Sequence, residues 1–151
     1  MQENSILIQK ILVCLDGSQE AEQALPWAEE LAAKHLAEIT LLRVGRDPNV
    51  FEAQDLPSLH AFRARQEEKC RQYLQQVKFR LKSEAFVQVS IDYTCGSASQ
   101  AIVERAAQLK ASVIVMSSHG RDGASRWWMG SVAEKVTRHS PCPVFLIRSA
   151  Q

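Results

Sequence analysis

Short apolar runs and longer segments with a spaced apolar stripe alternate along the chain. The runs at residues 10–15 and 113–116 are continuously apolar after their first residues, which is typical of strands covered on both faces. In residues 87–93 apolar and polar positions alternate instead, which predicts a strand with one wetter face near a sheet edge. The pattern therefore predicts five strands, at residues 10–15, 38–44, 87–93, 113–116 and 144–147.

The segments between the strands carry apolar residues at helical spacing. Ser18 is placed to cap the first of these helices, and the apolar stripe continues in phase beyond Pro26. A proline inside a helix removes a hydrogen bond, so the pattern predicts one kinked helix here. Further helices are predicted at about residues 58–83, from Gly96 to residue 109, and at 131–138, with a loop at 45–57.

The resulting βαβαβαβαβ order predicts a single α/β domain over residues 1–151, a five-stranded parallel sheet with helices on both faces. Ligands of such sheets bind beyond the carboxyl ends of the strands, at the switch point of the strand order. Two segments are expected to meet there, residues 16–18 and residues 117–131. The apolar last strand, Val144–Ile147, is expected at a sheet edge, where pairing with a second copy would form a homodimer.

Composition narrows the function classes. The formal net charge of +1 gives no broad basic surface for nucleic acid, and no apolar run approaches the ~20 residues that cross a bilayer. No signal peptide is visible, so a cytoplasmic location is expected. The four cysteines and four histidines are scattered and predict no metal site, and the thiols are interpreted as buried or incidental: Cys14, Cys70, Cys95 and Cys142.

The segment between the fourth strand and the last helix has the chemistry of an anion site. Gly120, Gly123 and Gly130 allow backbone N–H groups to approach a ligand, and the last helix points its positive end into the same space. Ser131 adds a hydroxyl, and Arg121 and Arg126 are long enough to reach phosphate oxygens. From the residues alone, the glycines fit simple turns equally well. The Gly-Lys-Ser/Thr of the P-loop is absent.

Three stretches of the chain resemble the universal stress protein family. The most specific is Ser118-His119-Gly120, nine residues, then Gly130-Ser131-Val132-Ala133-Glu134-Lys135-Val136, followed by Ser140-Pro141-Cys142-Pro143-Val144. The opening Ile11-Leu12-Val13-Cys14-Leu15-Asp16-Gly17-Ser18 and the stretch Gly96-Ser97-Ala98-Ser99-Gln100-Ala101-Ile102 are also similar. The resemblance implies a Rossmann-like fold, similar to adenine nucleotide alpha hydrolases, and a homodimer formed through the last strand.

One branch of that family binds ATP through a G-x2-G-x9-G-[S/T] loop. Carried over, Gly120, Gly130 and Ser131 would hold the phosphates, Val132 would help through its backbone, and Arg121 is added as a phosphate contact. Asp16 and Val44 would contact the adenine and ribose, Met116 would line the pocket, and magnesium would bridge the phosphates. The chain departs from the motif at Ser117, where a glycine is expected. If that position needs a positive φ, serine strains it, and if it needs only a small side chain, little changes.

The leading hypothesis is an ATP-binding, dimeric regulator of the stress response. It would have at most slow ATP hydrolysis, because no water-orienting base is visible and His119 is interpreted as a loop-orienting residue. The alternative is an interaction module of the same family that binds no nucleotide and contacts an unknown protein partner. The third hypothesis is an enzyme of a related nucleotide-binding fold. Three roles stay open for residues 127–129, Trp-Trp-Met: they cover the nucleotide, contact a protein partner, or pack on the end of the sheet.

Overall fold

A computed structural model of the chain describes residues 7–47, 56–82, 87–119 and 129–148. The five predicted strands are present, and five helices connect them. In chain order the elements are β1 Lys10–Leu15, α1 Gln19–Glu22, α2 Leu25–His35, β2 Glu38–Gly45, α3 Leu56–Lys82, β3 Val89–Cys95, α4 Ala98–Leu109, β4 Val113–Ser117, α5 Ser131–His139 and β5 Val144–Ile147.

All five strands lie parallel in one sheet of order β3-β2-β1-β4-β5. The two edge strands are β3 and β5. Both were predicted at an edge, β3 from its alternating apolar and polar residues and β5 as the apolar last strand. The chain goes outward through β2 and β3, then crosses to β4 and β5 on the other side of β1. The strand order therefore reverses between β1 and β4, which is where open α/β sheets bind ligands.

A hydrophobic core covers each face of the sheet. One core joins alternate strand residues such as Val13, Leu41 and Val115 to residues of α1, α2 and α3. The other joins the intervening residues, such as Leu12 and Ile114, to α4 and α5. Because β1 and β4 are buried along nearly their whole length by these two layers, their sequences are continuously apolar.

The predicted kinked helix around Pro26 is wrong, because the structure has two helices there. α1 ends at Glu22, and α2 begins at Leu25 with Pro26 in its first turn. The first N–H groups of a helix have no intrahelical partner, so a proline there loses no hydrogen bond. The apolar stripe stays in phase because both helices pack on the same face of the sheet, with Ala21, Ala24 and Ala28 all buried.

Helix α3 begins two residues earlier than predicted, with Pro57 in its first turn, so the end of the predicted loop is helical. Residues 48–55 of that loop lie outside the described residues. Along α3, no residue from 56 to 69 is buried, whereas Cys70, Leu74, Val77 and Leu81 are buried against the sheet. Among the described residues, no helix is both long and apolar enough to cross a membrane.

Leu36 ends α2 in a costly conformation, with φ 54° and a side chain that is 92% exposed. A left-handed residue other than glycine costs roughly 1–2 kcal/mol, while glycine loses more conformational entropy on folding, which offsets part of the gain. We expect Leu36→Gly to stabilise the protein by about 0.5–1 kcal/mol, measured by urea denaturation. Lys34→Gly, on the exposed surface of the same helix, is the control and should destabilise the protein by a similar amount.

Candidate functional site

The two segments expected to form the site leave the sheet from neighbouring strands. β1 and β4 pair in parallel, with Val13 opposite Val115. The carboxyl ends of both strands therefore lie at one edge of the sheet, together with those of β2 and β5. The structure thus brings the turn after Leu15 and the segment after Ser117 to the switch point between β1 and β4.

The turn after β1 is built by hydrogen bonds to Asp16. The Asp16 carboxylate accepts from the backbone N–H of Ser18 at 2.9 Å and from its hydroxyl. The Ser18 hydroxyl oxygen accepts in turn from the N–H of Ala21 at 3.1 Å, which caps α1 as predicted. Gly17 between them has φ +86°, a conformation that suits glycine. The turn thus fixes the Asp16 carboxylate, half-buried, at the carboxyl edge of the sheet.

The start of α5 is packed directly on the end of β4. The Gly130 N–H donates to the Ser118 carbonyl at 2.8 Å, and a β-carbon on Gly130 would lie 2.9 Å from that same oxygen. Gly130 has an ordinary φ of −59°, so space, and not backbone conformation, requires glycine here. The Ser118 N–H donates to the Ile147 carbonyl at 2.8 Å. The backbone of Ser118 therefore links the start of α5, through its carbonyl, to the end of β5, through its N–H.

The first turn of α5 presents donors at this edge. Gly130 is the N-cap and has no side chain to accept from the first N–H groups of the helix. Ser131 is exposed, and Val132 is half-buried against the core that α5 shares with α4. The N–H groups of the first turn after Gly130, which no side chain of the described residues caps, suit a phosphate group together with the positive end of the helix dipole and the Ser131 hydroxyl.

Val44 and Met116 lie on the sheet face that α4 and α5 cover. Met116 is buried there and Val44 is partly buried, in the same core as Cys14. Both residues stand at or near the ends of their strands, so an apolar surface lies beside the Asp16 turn and the start of α5. Burial raises the pKa of the Cys14 thiol to about 12, and the nearby Cys142 is a second, smaller cause.

Ser117, which replaces the glycine of the family motif, is the last residue of β4 and is buried. It pairs in register with Ile147 of β5 and is not among the residues with positive φ. Its hydroxyl accepts from the N–H of His119 at 3.4 Å. The backbone strain considered for serine at this position is therefore absent, and the position takes a small side chain in regular strand geometry.

Part of the predicted site falls outside the described residues, namely Gly120, Arg121, Gly123, Arg126, Trp127 and Trp128. On either side of that gap, Met129 is exposed and His119 is half-buried. The His119 ring nitrogen Nδ1 shares a hydrogen bond of 2.9 Å with the Ser118 hydroxyl. This contact orients the histidine just beyond the end of β4.

Sequence reasoning missed Arg43, whose guanidinium lies against the Asp16 turn. A β-carbon on Gly17 would be only 3.0 Å from its Nη2 atom. The missed signal is a charged residue within the apolar run of β2, between Leu42 and Val44. Ser118 was quoted only as part of a motif, and its hydrogen bonds to Gly130 and Ile147 are made by the backbone, for which the sequence carries no signal.

A separate polar cleft of about 260 Å³ lies at the end of β3 and along α4. Its lining includes Cys95, Gln100 and Arg105, and Arg105 forms an ion pair with Asp92 at 2.7 Å. Of the predicted ligand-binding residues that the structure describes, none lines this cleft.

Comparison with known proteins finds matches over nearly the whole chain. The family described as universal stress protein family matches residues 7–148. The universal stress protein YxiE of Bacillus subtilis (strain 168) is 32% identical over 149 residues, which cover 94% of this chain and 100% of that protein.

Two solved structures of universal stress proteins have the same fold as this chain. The universal stress protein UspA from Lactobacillus plantarum has a TM-score of 0.82 at 24% identity, covering 93% of this chain and 98% of that one. The universal stress protein from Archaeoglobus fulgidus, solved in complex with dAMP, has a TM-score of 0.67 at 19% identity, covering 93% and 98%. At these identities the likeness concerns the fold.

Proposed function

The chain belongs to the universal stress protein family, and from this premise we propose that it binds ATP and acts as a dimeric regulator of the stress response. The observation that carries the proposal is the packing of Gly130 on the Ser118 carbonyl at the switch point of the sheet. This contact holds the start of α5 at the end of β4, and the Asp16 turn follows the neighbouring strand β1 at the same end of the sheet. A relative of the same fold has been solved with the adenine nucleotide dAMP.

The described residues divide into a polar and an apolar part that fit the two ends of a nucleotide. The N–H groups of Ser131 and Val132 and the Ser131 hydroxyl would hold phosphate oxygens at the start of α5, whose place is set by the bond from the Gly130 N–H to Ser118. Val44 and Met116 would contact the base, and the Asp16 carboxylate would accept from ribose hydroxyls. Gly120 and Arg121, outside the described residues, are proposed as further phosphate contacts.

Magnesium is proposed to be held by the phosphate oxygens and water. Within the parts of the chain that the structure describes, no three His, Cys, Asp or Glu side chains cluster to hold a metal ion. When bound between phosphates, Mg²⁺ offsets their negative charge. Hydrolysis is proposed to be slow at most, with turnover well below the ~1 s⁻¹ of ordinary enzymes.

The proposal is tested by calorimetric titration of Mg-ATP into protein stripped of nucleotide, with ADP and AMP in parallel. We expect dissociation constants of the order of micromolar, or about −8 kcal/mol, for the preferred nucleotide. No heat from folded protein at millimolar nucleotide would contradict the proposal. That result would favour the alternative, an interaction module of the same family that binds no nucleotide.

The dimer is proposed to form through the edge strand β5. Phe145 on this strand is 38% exposed and packs edge-on against the exposed ring of Trp27 in α2, with ring centroids 5.6 Å apart. An edge strand with exposed aromatic rings invites pairing with another strand. A symmetric contact between two β5 strands would bury this pair from both copies.

We expect Phe145→Glu to make the protein monomeric at concentrations where the unchanged protein is a dimer. Burying a phenylalanine is worth about 1.5–3 kcal/mol, and a symmetric interface loses it twice, so association should weaken by about 100-fold or more. Light scattering after size exclusion gives the mass. Phe79→Glu, the same change at an exposed phenylalanine of α3, is the matched control and should leave the mass unchanged. A monomeric mass for the unchanged protein at micromolar concentration would contradict this dimer.

A further inference from the structure

Arg43 is a charged residue that interrupts the apolar run Leu41-Leu42-Arg43-Val44 of β2. It follows Leu41 and Leu42 near the end of β2 and pairs in register with Leu15 of β1. Ile39 and Leu41 belong to the core on the side of α1, α2 and α3, and Arg43 continues their alternation onto that side. Its side chain thus approaches the Asp16 turn from the sheet face opposite to Val44 and Met116.

The guanidinium occupies the space beside Gly17 that a side chain would fill. A β-carbon on Gly17 would lie 3.0 Å from Nη2 and 3.1 Å from both Cζ and Nη1 of Arg43. All three distances are nearly equal, so the flat face of the guanidinium lies against the turn. Gly17 is therefore glycine for two reasons, its positive φ and this close approach.

Tyr73 of α3 also contacts the guanidinium. The Arg43 Cζ atom lies 4.9 Å from the centre of the Tyr73 ring, within the range of a cation–π contact. The Tyr73 hydroxyl donates to the Glu22 carboxylate at 2.9 Å, and that carboxylate also pairs with Arg80 at 2.9 Å. The guanidinium thus contacts both the turn of residues 16–18 and a ring that is itself hydrogen-bonded to α1.

The charges in this cluster act on one another. Burial is the main cause of the raised pKa of the Tyr73 phenol, and its hydrogen bond to Glu22 is the second. The positive charge of Arg43 lowers this pKa, and the negative charge of Asp16 raises it. Arg43 and Asp16 therefore both lie within electrostatic reach of the same phenol. A positive charge beside Asp16 offsets the carboxylate that would otherwise repel an anionic ligand.

We propose that Arg43 is a positioning residue of the ligand site, which holds the turn of residues 16–18 in its ligand-binding shape by stacking between Gly17 and Tyr73. The part of this inference that concerns ligand affinity rests on the proposed function. The part that concerns the turn applies to the protein without ligand. An arginine suits the role because its planar, permanently charged group stacks where a lysine would not.

The first test uses no ligand. Water exchange of the backbone amide of Ser18, which donates to Asp16, is measured by NMR in ¹⁵N-labelled protein. We expect about tenfold faster exchange in Arg43→Met and in Tyr73→Leu. Tyr73→Phe keeps the ring face and should restore most of the protection. Arg71→Met, at an exposed arginine of α3 paired with Glu67, is the matched control and should change nothing. Unchanged exchange in Arg43→Met would overturn the inference.

The second test measures Mg-ATP affinity in the same variants. We expect Arg43→Met and Tyr73→Leu each to weaken binding about tenfold, and the double variant to be no weaker than either one, because both changes remove the same contact. A double variant weakened about a hundredfold would show two independent effects and would overturn the positioning role. Faster Ser18 exchange with unchanged affinity would overturn the ligand part. If the unchanged protein binds no ATP, the proposed function fails, and the exchange experiment still decides the role of Arg43 in the turn.

Discussion

Replacing Gly130 with alanine is expected to abolish most nucleotide binding while leaving the protein folded. The added β-carbon would lie 2.9 Å from the Ser118 carbonyl oxygen, which is a backbone atom and cannot rotate away. The start of α5 must therefore move, which costs about 1–3 kcal/mol of stability as in other overpacked sites. The N–H groups that would hold phosphate move with it, and we expect Mg-ATP affinity to fall at least 30-fold by calorimetry.

Ser131→Ala is the control for this prediction. It removes one exposed hydroxyl next to Gly130 without adding any atom, so α5 keeps its place. The loss of a single hydrogen bond to a charged group is worth about 1.5–3 kcal/mol, so affinity should fall by roughly 10- to 150-fold, and the difference from Gly130→Ala is that thermal stability is not lost. If Gly130→Ala stays folded and binds as tightly as the unchanged protein, the phosphates are not held at the start of α5.

Alkaline conditions are expected to destabilise the protein through Cys14. Burial raises the pKa of this thiol from 9.0 to about 12 in the folded state. The unfolded chain therefore loses its proton first as the pH rises. The stabilising contribution is complete below the unfolded pKa and is lost between it and the folded pKa. From about pH 8 to about pH 10.5 this loss amounts to about 2 kcal/mol, and it is measured by urea denaturation.

Cys14→Ala isolates the effect, because Tyr73 and Tyr93, whose pKa values are also raised by burial, remain in both proteins. The variant should lose about 2 kcal/mol less than the unchanged protein over the same pH interval. Cys142→Ala should keep most of the original slope, since Cys142 is only the second cause of the shift. Equal slopes in the unchanged protein and in Cys14→Ala would show that Cys14 ionises as readily in the folded state as in the unfolded one.

The alternation of apolar patterns predicted the five strands, their parallel arrangement and both sheet edges. These features follow from how many faces of each strand are covered, which the side-chain period records directly. The break at Pro26 could not be read in the same way. Two helices that pack on the same face continue one stripe, and a proline in a first turn looks the same as a proline at a kink.

The candidate site was predicted unevenly for a similar reason. Asp16, Gly130 and Ser131 belong to motifs, so the residues themselves signalled them. The role of Arg43 depends on Tyr73 and Gly17, which are far apart in sequence and meet only when α3 packs beside β2. The contact of Gly130 with Ser118 likewise depends on a backbone carbonyl, whose direction no side-chain pattern encodes.

The uneven burial along α3 divides one continuous helix into two regions of different local stability. The buried residues from Cys70 to Leu81 can lose their hydrogen bonds only when the sheet loses its cover. Residues 56–69 span about 21 Å of helix without a buried side chain, and a helix that short is marginal in water by itself. We therefore expect the backbone amides in the first half of α3 to exchange with water faster than those in the second half, which open only when the fold does.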